Sequence, residues 1–202
     1  MGTIHRTTAS KVFGVQPNEV TSDMRRFAKV VNFGVVYGMN DYGLEQATGF
    51  TRAEASRFIK AYFEQYPGVR RWIEKTKESA RKDGYVQTLL GRRRYIMEIL
   101  STNRQVRESA ERMAVNTPVQ GTSADIIKVA MISIHEAMKT DGLRSRMLLQ
   151  IHDELLFEVL EAERARVRQI VEQLMPRAVE LSVPLKVDLK AGPNWSDMKP
   201  VA

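Results

Sequence analysis

The 202-residue chain contains no cysteine. That excludes a disulfide framework, a thiolate zinc site and a cysteine nucleophile together. Histidine is scarce: of the three present, His5 and His135 have no motif-like ligand spacing, so a metal-dependent phosphohydrolase built on the third, His152, is short of ligands. No apolar run approaches the roughly 20 residues of a membrane span, and no signal-peptide stretch opens the chain, so no membrane partner is expected. Internal repeats and low-complexity segments are also missing. Acidic residues are outnumbered, 24 against 31 basic ones, for a net charge of +7. Such a balance favours a polyanionic partner, nucleic acid first, although a solvated basic surface gives the same count. A hydrophobic share of 43% and a charged share of 27% suit a globular fold, either one domain or two small subdomains.

The stretch Ser22–Gly38 organises what is present. Ser22 is read as the N-cap of a helix on which Arg25, Lys29, Phe33 and Tyr37 recur every four residues. At about 100° per residue these four drift only about 40° per step, forming one slanting stripe. Two cations about 6 Å apart along the axis match the spread of a polyphosphate, and the two aromatics offer flat surfaces for a base or sugar. Phe27, Val30, Val31 and Val35 occupy the face suited to burial. Gly34, about 1 kcal/mol worse than Ala in a helix, points to close approach by a neighbour. Spacing alone equally describes an amphipathic helix with a solvated basic edge.

Around this stretch, Met1-Gly2 reads as an added start, Ile4–Ser10 as a short helix and Pro17-Asn18 as a turn. After a loop over 38–43, a short helix is expected over 44–48, one capped by Thr51 over 52–65, and one over 69–82 whose Val69, Trp72, Ile73, Thr76 and Ala80 share a packing face. Tyr85–Leu89 reads as a strand reversed near Gly91, followed by the basic run Arg92-Arg93-Arg94, suited to acids on a neighbouring helix or to phosphates. Two helices are expected over about 102–115 and 123–138, separated at Thr117-Pro118. Asn116 and Gln120 would then be helix-end and loop residues. Apolar runs 147–151 and 155–159 flank His152-Asp153-Glu154 as a hairpin whose tip carries rigidly held carboxylates, the oxygen donors that Mg²⁺ takes. An amphipathic helix over 162–181 and a strand over 184–190 complete the reading, with no reason to make Asp188 a ligand.

Four blocks in this order resemble the DNA polymerases of family A. They are Arg25-x-x-x-Lys29-x-x-Asn32-Phe33-Gly34-x-x-Tyr37-Gly38, Gly84-Tyr85-Val86-x-Thr88-x-x-Gly91-Arg92-Arg93, Glu111-Arg112-x-x-x-Asn116-x-Pro118-Val119-Gln120-Gly121, and Gln150-Ile151-His152-Asp153-Glu154. The resemblance implies an α+β fold: a mostly helical fingers subdomain over 1–121, and over 122–202 the C-terminal part of a palm with an antiparallel sheet. It implies template-directed nucleotidyl transfer from a dNTP to a primer 3′ end. His5, Arg25 and Lys29 would neutralise the triphosphate. Phe33 would pack under sugar and base, and Tyr37 would guard the template position. Arg112, Asn116, Gln120 and His152 would face primer-template DNA, where amides suit the degenerate minor groove. Asp153 would bind metal with Glu154 beside it, and the catalytic set is Asp153, Glu154 and Lys29. Mg²⁺ in a two-metal site is the implied cofactor. Phe rather than Tyr at position 33 implies poor use of dideoxynucleotides.

In the family an earlier Asp-Tyr-Ser-type strand supplies further carboxylates; nothing like it lies before Ser22, and thumb and exonuclease regions are missing. These residues are therefore expected not to polymerise alone. No oligomer of the parent is implied, and a bacterial cytoplasmic, nucleoid-associated setting is. The alternative from another class is a non-catalytic nucleotide- or nucleic-acid-binding module.

Overall fold

A computed structural model describes residues 4–201; Met1-Gly2 lies outside them. The fold is α+β, mostly helical with small antiparallel hairpins. The chain divides into two compact units, one ending at Gly121 and the other starting at Thr122.

The first unit begins with α1 (Ile4–Phe13), α2 (Ser22–Val36), α3 (Asp41–Thr48), α4 (Arg52–Gln65) and α5 (Pro67–Asp83). Its core is the apolar face of α2, where Phe27, Val31 and Val35 pack on Leu44 of α3 and on Ala55 and Tyr62 of α4. Phe27 anchors an aromatic cluster, 4.3 Å from Phe50 and 4.6 Å from Phe58 between ring centres. Each large apolar side chain buried this way stabilises the fold by about 1.5–3 kcal/mol. A second core joins Ala80 of α5, Val86, Ile96 and Ile99 to Ala110 and Ala114. There β1 (Tyr85–Gln87) pairs antiparallel with β2 (Arg93–Tyr95).

The second unit packs Ala130, Ile134 and Met138 of α6 (Arg104–Thr140) against Val167, Ile170 and Val171 of α7 (Arg164–Leu174). Met147, Leu155 and Phe157 close this core from the hairpin of β3 (Arg146–Ile151) and β4 (Glu154–Glu158). A two-residue pair, β5 (Lys190–Ala191) with β6 (Lys199–Pro200), follows.

Several boundaries differ from the sequence reading, each for a physical reason. Thr21, not Ser22, caps α2, its hydroxyl accepting from the Met24 N–H at 3.2 Å. Helix α3 starts at Asp41 because the Asn40 side chain accepts from the Gly43 N–H. Pro67 opens α5 instead of preceding it, as suits a residue without an N–H in a first turn. The largest difference is α6, one helix across Pro118 instead of two. Its flanks bury Ala110, Ala114, Val115, Ile127, Ala130 and Ile134, enough to offset the ~3 kcal/mol an interior Pro costs. Helix α7 is shorter than 162–181, giving way at Met175-Pro176-Arg177 to a tighter turn. Of the strand expected over 184–190, residues 184–188 alternate in burial without a ladder, and only the end pairs: the Leu189 carbonyl accepts from the Val201 N–H at 2.9 Å and Lys190 opens β5, with Val187 and Leu189 on the core. Alternation reports one buried face, and a strand also needs a partner.

Candidate functional site

Helix α2 places the site. Its inner face is fixed by the Phe27, Val31 and Val35 core, so Arg25, Lys29 and Phe33 are left exposed and Tyr37 half-buried. A groove of about 800 Å³ runs along this side, lined by Arg26, Lys29, Phe33, Tyr37, Asn40 and Arg112 among others. Phe33 keeps 50% of its surface exposed there, an aromatic platform without a lid. The groove floor is shaped by small residues. A Cβ on Gly34 would meet the Met39 Sδ at 2.7 Å, and one on Gly38, whose φ is +81°, would meet the Arg112 Cγ at 3.0 Å. Backbone approach of this kind brings Arg112 of α6 beside the Tyr37-Gly38 end of α2.

The stripe divides between two neighbourhoods. Arg26, one position from the predicted Arg25, lines the groove. Arg25 is absent from that lining, and its charge, like that of Lys29, acts on the His5 imidazole. The His5 pKa is lowered, by burial first and then by Lys29 and Arg25, so the ring is neutral at pH 7. The His5 and Phe33 rings lie 5.7 Å apart. Sequence reasoning missed Arg26, Met39 and Asn40. An exposed face wider than a strict four-residue stripe was the available signal for Arg26, since positions 26, 29, 33 and 37 also share a side.

On α6, Arg112, Asn116 and Gln120 stand at i, i+4 and i+8 within one continuous helix, correcting the expectation of a helix end and loop. Arg112 and Gln120 are exposed, whereas the Asn116 Oδ1 is buried with no hydrogen-bond partner among the described residues. The neighbouring Glu111 is held by Arg81 at 2.6 Å and Lys77 at 3.5 Å. In the basic run, Arg92 donates to the Gly121 carbonyl at 3.0 Å, Arg93 lies 4.5 Å over the Tyr85 ring, and Arg94 donates to the Thr117 hydroxyl at 3.4 Å. All three therefore have structural partners within their own unit.

In the second unit the hairpin forms as expected. Ile151 pairs with Glu154, leaving His152-Asp153 as a two-residue turn. His152 takes φ +53°, while Asp153 stays at negative φ, the φ pattern of a type II′ turn that favours Gly at its first position. His152, Asp153 and Glu154 are all exposed. Among the described residues no three His, Asp or Glu side chains come together as a metal-holding group. Asp153 and Glu154 thus stand as two neighbouring carboxylates, and the phosphohydrolase reading gains no ligand set.

A family model described as DNA polymerase family A matches residues 2–197. The chain belongs to DNA polymerase family A. The DNA polymerase I of Bacillus caldotenax is 52% identical over 196 residues, 97% of this chain and 22% of that protein. The DNA polymerase I of Bacillus subtilis is 51% identical over 196 residues, with the same coverage. Among solved structures, the POL domain of Pol1 from M. smegmatis, in complex with DNA primer-template and dNTP, superposes with a TM-score of 0.86 at 49% identity. That match covers 91% of this chain and 32% of that one. The family A chain described here therefore spans about a fifth of the length of the curated relatives it matches. No helix among the described residues is long and apolar enough to cross a membrane.

Proposed function

We propose that these residues supply the incoming-nucleotide face, and part of the primer-template face, of a template-directed DNA polymerase. The observation that carries this reading is the α2 groove, where the Lys29 ammonium, the exposed Phe33 ring and the Arg26 and Arg112 guanidinium groups line one open cleft. Lys29, with Arg25 and the His5 imidazole beside it, takes the triphosphate. Phe33 stacks under sugar and base, and Tyr37 closes the end where the template base arrives. Arg112, Asn116 and Gln120 form the DNA-facing edge, with Arg112 and Gln120 exposed on it and the Asn116 Oδ1 buried behind them. Membership of family A and the M. smegmatis complex with DNA and dNTP support the same ligands.

In the intact enzyme the reaction is attack of a primer 3′ oxygen on the α-phosphorus of the dNTP, with pyrophosphate leaving. We assign residues 1–121 to the fingers and 122–202 to the palm. His152 holds the primer end. Asp153 and Glu154 are hard oxygen donors of the kind Mg²⁺ takes, and further donors must join them to complete an octahedron. For that reason binding, not turnover, is the activity assigned to these 202 residues alone. We place the intact protein in the cytoplasm with the chromosome.

Calorimetric titration with a dNTP tests this. Lys29→Ala should weaken binding by about tenfold, the worth of one charge-assisted contact, and Phe33→Ala by about 1–3 kcal/mol. Equal affinity in both variants would overturn the assignment of the groove. Primer extension by the isolated chain would overturn the assignment of binding without turnover.

A further inference from the structure

Behind the exposed stripe, three helices share a chain of polar side chains that the nucleotide site as described does not use. The Thr8 hydroxyl, 1% exposed on α1, donates to the Asn32 Oδ1 of α2 at 3.1 Å. The same hydroxyl oxygen lies 3.3 Å from the Tyr66 hydroxyl at the end of α4. The Asn32 Nδ2 lies 3.0 Å from the His5 Nδ1.

The orientation of the Asn32 amide, with its oxygen toward Thr8, gives this chain a direction. Thr8 has a single hydroxyl proton, and it is spent on Asn32. The Tyr66–Thr8 contact must then be made by the phenol proton, so Tyr66 donates to Thr8. With its oxygen occupied by Thr8, the Asn32 amide presents its NH₂ group to His5. An NH₂ group cannot accept, so the His5 Nδ1 must be the unprotonated nitrogen. In a neutral imidazole the single proton then sits on Nε2.

We propose that Tyr66, Thr8 and Asn32 form a one-way hydrogen-bond chain that locks His5 as the neutral Nε2–H tautomer, presenting a donor to an anionic group of the bound ligand. Tyr66, Thr8 and Asn32 are positioning residues, acting only through His5. The opposite direction would run from Asn32 to Thr8 to Tyr66 and would place the His5 proton on Nδ1. Nε2 would then carry a lone pair, which a phosphate oxygen repels. One amide orientation therefore decides whether His5 attracts or rejects an anion.

The geometry also resists protonation of the ring, since imidazolium needs an acceptor at Nδ1 where the Asn32 NH₂ stands. The charged groups acting on His5, Lys29 and Arg25 of α2, push the same way, as does burial. His5 is thus built as a neutral donor between two permanent cations. It adds direction to the phosphate subsite without adding a third like charge.

The inference rests on the nucleotide reading above for its ligand, but the tautomer can be tested without one. Imidazole ¹⁵N NMR on the free chain should show His5 Nδ1 with the downfield shift of an unprotonated nitrogen and Nε2 with that of a protonated one. The reverse pattern, or a rapidly averaged pair, overturns the proposal. Asn32→Asp replaces the donor by a carboxylate that only accepts. It should move the proton to Nδ1 and raise the His5 pKa, and an unchanged ¹⁵N pattern would also overturn the proposal.

Thr8→Val frees the Asn32 amide to turn and should mix the tautomers, while Thr8→Ser restores the wild-type pattern. That pair guards against a general folding defect. Titration with a dNTP, or with inorganic triphosphate as the phosphate-only probe, completes the test. Binding should fall by about tenfold in Asn32→Asp. A wild-type chain that shows the Nε2–H tautomer but binds neither probe would refute the nucleotide reading and leave the tautomer lock standing. One that binds equally well in Asn32→Asp would refute the role of the lock.

Discussion

Gly121→Ala is a demanding test of how the α6 segment is seated. The new Cβ would lie 2.6 Å from the Thr88 Cγ2 and 3.3 Å from the Arg92 Nη2. Ordinary carbon contacts are about 3.5–4.0 Å, so the methyl intrudes by about 1 Å. Thr88 has little room to yield: it is 4% exposed, β-branched, and its hydroxyl accepts from the Arg92 N–H at 3.2 Å. Overpacking of this kind costs about 1–3 kcal/mol, and the fixed neighbour places it in the upper half of that range. Ala for Gly inside a helix returns about 1 kcal/mol. The net expectation is a loss of about 1–2 kcal/mol.

Thr88→Ser removes the offending methyl and keeps the hydroxyl, so in that background Gly121→Ala should be neutral or stabilising by up to ~1 kcal/mol. The coupling between the two sites is therefore about 2 kcal/mol. Hydrogen exchange at the Ile96 amide reads it, because that residue is fully buried and its N–H is bonded to the Gly84 carbonyl at 2.9 Å. Equal destabilisation by Gly121→Ala in both backgrounds would refute the reasoning.

Further outcomes follow from other elements. Glu163 accepts from the Ser145 hydroxyl at 2.6 Å and from the Arg144 and Ser145 N–H groups, which hold its pKa below the usual carboxylate value. A lowered folded-state pKa contributes stability above the unfolded value, about 4.5, that disappears as pH falls through the folded one. Glu163→Gln should therefore flatten the acid limb of the unfolding profile, and an unchanged limb would count against that cap. His152→Gly should stabilise the hairpin by about 0.5–1 kcal/mol, since the relief of a positive φ exceeds the added chain entropy of Gly; a lower urea midpoint would contradict it. Thr51→Ala breaks the capping box in which the Thr51 hydroxyl accepts from the Glu54 N–H and the Glu54 carboxylate from the Thr51 N–H. A loss of about 1 kcal/mol, read from exchange of the first α4 amides, is expected, and no loss would mean the box is idle.

Much of this was legible in the chain because the governing interactions are local. The apolar face of α2, the Thr51 cap and the two-strand hairpin around His152-Asp153 all follow from periodicity and turn chemistry within a dozen residues. Where tertiary packing outweighs local preference, the sequence misleads. Pro118 is a strong breaker, yet buried side chains on both flanks of α6 carry the helix through it. Residues 184–188 alternate, but alternation supplies no ladder partner, and pairing begins only at Leu189-Lys190. Within the candidate site, spacing set Lys29, Phe33 and Tyr37 on one stripe, and the family resemblance gave that stripe a role. The groove's Arg26 and Arg112 were harder to place, because which cation lines it depends on the rotation of α2 and the approach of α6 at Gly38. The Thr8–Asn32–His5 contacts join residues 24 and 27 positions apart, beyond any local pattern.

The central claim is that α2 carries a preformed nucleotide site. Amide NMR of the chain titrated with a deoxynucleoside triphosphate and Mg²⁺ tests it most directly. Shifts concentrated at Lys29, Phe33, Tyr37 and Arg112, and weakened about tenfold in affinity by Lys29→Ala, are the predicted result. No shifts at saturating ligand, or shifts confined to the His152–Glu154 turn, would contradict it.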